Sequence, residues 1–172
     1  MSLEIAPLRE EDIPALIALA RDIWHRHYPS IISVEQIEYM LAQRYTPEVI
    51  GAQLRSGRAW WDKLLLDGVM VAFSACEPGE HEGELKLDKL YVRCDLHGRG
   101  YGSLLLRNAQ QRAREMGCRR LYLQVNRRNR GAIETYLRNG FSISREAKFD
   151  IGHGFIMDDY VMSKDIELEA GK

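Results

Sequence analysis

The run LHGRGYGSLLLRNAQQRAREMG, residues 96–117, sets glycines at alternate positions, Gly98, Gly100 and Gly102, directly before a stretch with helical spacing. A helix start exposes unpaired backbone N–H groups and a partial positive charge, so it binds anions without needing a cationic side chain. Glycines there remove Cβ atoms and permit positive φ, which lets the main chain close around a bulky diphosphate. A flexible loop is the plain alternative. Two nucleotide motifs are excluded by the letters: no lysine follows Gly102, as a P-loop requires, and Ser103 stands where a dinucleotide fingerprint needs its last glycine. What is left is His97-Gly98-Arg99-Gly100-Tyr101-Gly102 behind a strand.

Other chemistry-bearing residues do not form a second constellation. Cys76, Cys94 and Cys118 are odd in number, widely spaced and without a CxxC pair, which suggests neither a disulfide framework nor a zinc site. His25 and His27 stand two apart, the wrong spacing for one helix face, so no metal site is expected. The basic cluster NRRNR at 126–130 lacks an extended stripe with interleaved aromatics, and lysine plus arginine number 24 against 25 acidic residues. No global field therefore draws the chain to nucleic acid or to an anionic membrane. No apolar run approaches the ~20 residues that span a bilayer, and the start MSLEIAPLREED is acidic where a signal peptide is basic. A soluble, cytoplasmic protein is expected.

The elements that must carry the glycine loop are legible by period. LEIAPL reads as a first strand, followed by Asp12 as N-cap and an apolar stripe at Ile13, Leu16, Ile17, Ala20 and Ile23. Ser33 and Gln36 make a capping box for a second helix, and Thr46-Pro47 opens a third turn or helix ending near Gly57. From Ala59 the period changes: AWWDKLLL and VMVAFSAC read as strands joined by Asp67-Gly68, a dipeptide favoured in type I′ hairpin turns. ELKLDKLYV is a longer strand, leading into the glycine loop and a helix with Leu105, Ala109, Ala113 and Met116 at helical spacing. RRLYLQV is a further strand. Asn129 caps a short helix with Ala132, Ile133, Tyr136 and Leu137 on one face, stopped by Gly140. FSISREAKF and FIMDDYVMSKDI close as a strand pair around DIGHG. With 172 residues, 45% of them hydrophobic, and no linker or repeat, the expectation is a single domain over 1–172. Its class is α/β (α+β), with a mixed, mostly antiparallel sheet.

The glycine pattern followed by a strand, an asparagine and Ala132-x-x-x-Tyr136-x-x-x-Gly140-Phe141 resembles the GNAT superfamily of N-acetyltransferases. The resemblance covers residues 3–164, and its specific motifs lie within 84–141. It implies a sheet of six to seven strands with helices on both faces. It also implies direct transfer of the acetyl group of acetyl-CoA to a primary amine of a small molecule or peptide, an acyl transfer of the EC 2.3.1 type. It assigns the backbone of Leu90, Tyr91 and Val92 to the pantetheine arm, and His97, Gly98, Arg99, Gly100, Tyr101, Gly102 and Ser103 to the pyrophosphate. An unpaired N–H near Leu90 or Val92 would serve the oxyanion. His97 departs from the Gln or Arg usual at its position; it either nears the phosphates and adds pH dependence or is a plain surface residue. Tyr136 matches the family's tyrosine that protonates the departing thiolate, although its apolar stripe fits core packing equally. Asn129 is read either as a CoA contact or as an N-cap.

A lysine-like ammonium has pKa ~10.4, so neutralising it near pH 7 costs about 4 to 5 kcal/mol and a base or water chain is expected. Family members often carry Glu where this chain has Lys86. Of its strand-face neighbours Glu84 and Asp88, Asp88 is the preferred water-linked base, against a merely solvated ELKLDK face. In the family the acceptor enters beside the first two helices. Trp24 and Tyr28 in DIWHRHYP are suited to hold a cation there, with core packing as the alternative. The closing hairpin resembles the branch similar to spermidine/spermine N-acetyltransferases. In it, Asp158 and Asp159 either attract a polyamine or mark a solvated β-turn. The departures at Lys86 and His97 leave one alternative function, a catalytically silent acyl-CoA-binding sensor or partner module of the same fold. Dimers are frequent in the family, so a homodimer stands among the possibilities.

Overall fold

Turn and cap residues set the element boundaries in the computed structural model, which describes residues 1–168. In chain order these are β1 (Leu3–Pro7), α1 (Ile13–His27), α2 (Val34–Arg44), α3 (Pro47–Ser56), β2 (Trp60–Leu66), β3 (Val69–Pro78) and β4 (Glu84–Val92). There follow α4 (Tyr101–Glu115), β5 (Arg120–Asn126), α5 (Arg130–Arg138), β6 (Ser142–Gly152) and β7 (Phe155–Asp165). Ser33 Oγ accepts from Gln36 N at 3.1 Å and Thr46 Oγ1 from Val49 N at 3.2 Å, satisfying orphan donors at the starts of α2 and α3. The two-residue turns of β2–β3 and β6–β7 stand at positive φ, Asp67 (49°) with Gly68 (79°) and His153 (53°) with Gly154 (77°). That is the type I′ signature, whose twist matches the strands it joins. The expected DIGHG loop therefore shrinks to its last two residues, because β6 continues to Gly152.

Asp12 and Asn129 occupy the expected N-cap positions of α1 and α5, but neither side chain makes the cap bond. Asp12 ends a 3₁₀ turn over Glu10–Asp12, and its carboxylate accepts from Arg9 N at 2.8 Å and from Lys63 Nζ at 2.6 Å, so it makes no cap bond to α1. Asn129 makes no side-chain cap bond to α5 either; its backbone sits at φ −83°, ψ 71°, outside the extended region from which a cap side chain reaches the helix start.

The seven strands follow the order β1-β2-β3-β4-β5-β7-β6, which meets the expected mixed, mostly antiparallel sheet. β4 and β5 run parallel, Glu84–Leu87 beside Arg120–Leu123, and the helical crossover that a parallel pair requires is α4. The β1–β2, β2–β3, β5–β7 and β6–β7 pairs are antiparallel. Packing divides the chain into two units, one of Met1–Cys76 with Lys89–Leu105 and the other of Glu77–Asp88 with the chain from Leu106 onward. In the first, Leu64, Val71, Ala72, Leu96, Tyr101 and Leu105 form a buried cluster flanked by Leu90 and Val92. In the second, Tyr122, Ala147 and Val161 pack with Phe149.

Candidate active site

The glycine loop is reached from β4 through a 3₁₀ turn, Cys94–Leu96, in which Leu96 N donates to Arg93 O at 2.9 Å. Leu96 is buried in the first unit's cluster and anchors the turn; burying a leucine stabilises by about 1.5–3 kcal/mol. Gly98 and Gly100 then adopt φ of 79° and 85°, left-handed values that strain any residue with a Cβ. A Cβ at either position would meet nothing within 4 Å, so the loop faces open space. Gly102 differs. It lies inside α4 without positive φ, and a Cβ there would rest 3.9 Å from Val92 Cγ2, an ordinary contact. Two of the three alternate glycines are thus demanded by backbone conformation, and the third is not.

Leu104 N donates to Gly100 O at 3.1 Å, which starts the ladder of α4. Helix geometry leaves the preceding N–H groups without intrahelical acceptors. The Tyr101 side chain is buried in the cluster, so this residue can offer a ligand only its backbone, whereas Arg99 is exposed. Open space, left-handed glycines and a fifteen-residue helix behind them fit a diphosphate.

Just past the end of β4, Arg93 N donates to Val71 O of β3 at 2.9 Å. Because Arg93 N points to β3 and the peptide is trans, the Val92 carbonyl in the same peptide plane points the other way. It receives a side chain instead: His97 Nε2 lies 2.8 Å from Val92 O. The His97 ring also meets His27 edge-on, with centroids 6.1 Å apart.

Trp24 and Tyr28 come together with a residue expected only for its backbone. Their rings are 4.6 Å apart, and Tyr91 approaches Trp24 at 5.7 Å and places its hydroxyl 3.3 Å from that of Tyr28. Trp24 is only 2% exposed and its Nε1 finds no acceptor among the described residues, while Tyr28 is half-buried. Burial, with Tyr28 and Tyr45 beside it, pushes the Tyr91 phenol well above its ordinary value, so it stays neutral. His25 is occupied by Glu38 at 2.7 Å, beside Arg21 on the same carboxylate.

The remaining expected residues lie in the second unit. Lys86 Nζ stands 3.5 Å from Asp88 Oδ1 and 3.6 Å from Glu77 Oε1, so the Asp88 carboxylate has a cation for a neighbour. Tyr136 is 8% exposed on α5, with its ring 5.9 Å from Phe141, and Asn129 is 6% exposed. Asp158 and Asp159 are not in a turn. Both lie within β7, where Arg127 reaches Asp158 at 3.1 Å and Glu146 at 3.2 Å and stacks over Tyr160, while Asp159 is buried. Arg127, the first arginine of NRRNR, is therefore engaged by its own chain.

Sequence reasoning missed Lys89. It is 6% exposed, with its ammonium 5.0 Å from the Trp61 ring and 5.8 Å from the Tyr45 ring. Alternation along KLYV put it on the same face as Tyr91, a signal that was available.

Comparison with known proteins places these features. The sequence profile of the Acetyltransferase (GNAT) family matches residues 17–141. The chain is 28% identical to the spermidine N(1)-acetyltransferase of Thermoplasma acidophilum over 162 residues, which is 92% of this chain and 97% of that protein. A crystal structure of PaiA N-acetyltransferase from Thermoplasma acidophilum in complex with coenzyme A superposes with a TM-score of 0.82 and 26% identity, covering 96% of this chain and 99% of that one. The ribosomal-protein-S18-alanine N-acetyltransferase of Escherichia coli has a TM-score of 0.72 at 20% identity, covering 99% and 98%, a likeness of fold.

Proposed function

The chain belongs to the acetyltransferase (GNAT) family and is an acetyl-CoA-dependent acyltransferase, and on that premise we propose how its own residues divide the work and what amine it takes. The loop of His97 to Ser103 receives the pyrophosphate of acetyl-CoA through main-chain amides. The single observation that supports this is the pair of left-handed glycines, Gly98 and Gly100, facing open space directly before α4. The pantetheine arm lies along the edge of β4 at Leu90–Val92 and pairs with its backbone.

The acceptor is the primary amine of a small molecule or peptide, and it attacks the thioester carbonyl directly. The N–C bond forms, the C–S bond breaks, the amine proton leaves through water toward a carboxylate, and the thiolate takes up a proton to give free CoA. Tyr136 donates that last proton. Asp88 is the water-linked base of this reading, with the Lys86 ammonium 3.5 Å from its carboxylate. Tyr28 faces the acceptor, with Trp24 as its buried support. Positioning supplies ~7 to 11 kcal/mol of such a barrier, against about 3 to 5 kcal/mol for one acid or base, so holding both substrates is the larger contribution. The relative that acts under the name spermidine N(1)-acetyltransferase makes polyamines the first acceptors to try.

Release of free thiol from acetyl-CoA across a panel of polyamines, amino acids and peptides is the test. Turnover on at least one primary amine is expected. Tight CoA binding without thiol release on any amine would turn the reading toward a silent acyl-CoA sensor. Tyr136→Phe is expected to lower kcat by roughly 10² to 10⁴-fold while CoA affinity measured by calorimetry stays within about twofold. An unchanged kcat would return Tyr136 to the role of packing residue.

A further inference from the structure

We propose that His97 is a positioning residue for the pantetheine arm: it acts through the Val92 carbonyl and not on the phosphates. The proposal rests on the reading of the β4 edge as the pantetheine site.

Its basis is the peptide between Val92 and Arg93. The amide side of this plane is held by β3, because Arg93 N donates to Val71 O at 2.9 Å. The carbonyl side, turned away from β3, is held by His97 Nε2 at 2.8 Å. With both sides bonded, the plane cannot rotate, and the Val92 oxygen is presented in one direction. A carbonyl oxygen has two lone pairs, so a ligand amide can donate to Val92 O while His97 keeps its own bond. The imidazole donates from Nε2 in the neutral Nε2–H tautomer and as imidazolium alike.

The phosphate loop has independent support. Leu96 is buried, Gly98 and Gly100 take the left-handed turns, and Leu104 N closes on Gly100 O, none of which uses the imidazole. His97 is thus bonded to the arm edge five residues back, although it stands at the head of the loop. Glutamine and arginine, the residues more usual at this position, also carry side-chain N–H donors that suit the same carbonyl.

The test compares two probes by calorimetry in wild type, His97→Ala and His97→Gln. One probe is CoA; the other is adenosine 3′-phosphate 5′-diphosphate, which keeps the phosphates and lacks pantetheine. His97→Ala is expected to weaken CoA about tenfold, the loss of one ordered hydrogen bond, and to leave the shorter probe within about twofold. His97→Gln is expected to recover most of the CoA affinity, and in turnover the Ala defect should sit in KM for acetyl-CoA more than in kcat. Equal weakening of both probes would place His97 on the phosphates and overturn the proposal. Unchanged CoA binding in His97→Ala would overturn it as well, leaving a surface histidine. If wild type bound neither probe, the cofactor-site reading itself would fall, a result distinct from either.

Discussion

The glycine loop before α4 and the aromatic cluster around Trp24 belong to the same packing unit but are built from opposite materials. The loop is exposed and works through main-chain geometry, with Gly98 and Gly100 left-handed over open space. The cluster is made of side chains: Trp24, Tyr28, Tyr45, Tyr91, Phe73 and Trp61 approach with ring centroids between 4.6 and 6.5 Å. A backbone site asks few things of sequence and asks them at fixed spacing. A side-chain site can be assembled from distant segments in many ways. The difference teaches why the loop proposed to hold the donor announces itself in the chain and the cluster proposed to face the acceptor does not.

The comparison breaks most visibly in stability. Trp24→Ala is expected to lower the unfolding free energy by about 3–5 kcal/mol in urea titrations, since it removes a buried indole that packs against Tyr28, Tyr45 and Tyr91. A loss under about 1 kcal/mol would mean that the cluster is no core. Gly100→Asp should do the converse. A carboxylate in the anion nest is expected to weaken CoA by roughly 100-fold in calorimetry, while left-handed strain costs only about 1–2 kcal/mol of stability. Normal CoA binding by this variant would remove the loop from the site.

The smallest expected effect concerns how α1, the helix that bears Trp24 and ends before Tyr28, is seated. Burial pushes the Asp12 carboxyl up, but the Lys63 ammonium at 2.6 Å and the Arg9 amide outweigh it and hold the group below the usual carboxylate range. A depressed native value means that Asp12 stabilises the fold above the ordinary carboxylate range and loses that contribution as acid protonates it. Asp12→Asn should therefore cost about 1–2 kcal/mol near neutral pH, with the gap to wild type closing in acid. Urea midpoints that differ equally at both pH values would contradict this.

Much of the fold was legible from local signals. Asp67-Gly68, Thr46-Pro47 and the end of α3 near Gly57 all turned out as read, because each acts within a few residues. Asp12 and Asn129 stand at the N-cap positions as read but lack the side-chain cap bond, since nothing local reveals that Lys63, fifty-one residues away, holds the Asp12 carboxylate, or that Asn129 has a non-extended backbone. Asp158 and Asp159 were open between a polyamine lure and a turn. The strand read over FIMDDYVMSKDI holds them both, and its pairing with β6 decides against the turn, with Arg127 on the first.

By itself the amino-acid order determined the local backbone events: where strands change to helices, that Asp67-Gly68 turns a hairpin, and that glycines precede α4 where the chain turns left-handed. These follow from sterics and hydrogen bonding over short stretches of chain. Tertiary structure alone decided that Trp24 is core, that Lys89 sits over aromatic rings, and that the His97 imidazole turns back to Val92. Burial and side-chain direction depend on which distant surfaces meet, and no local period encodes that.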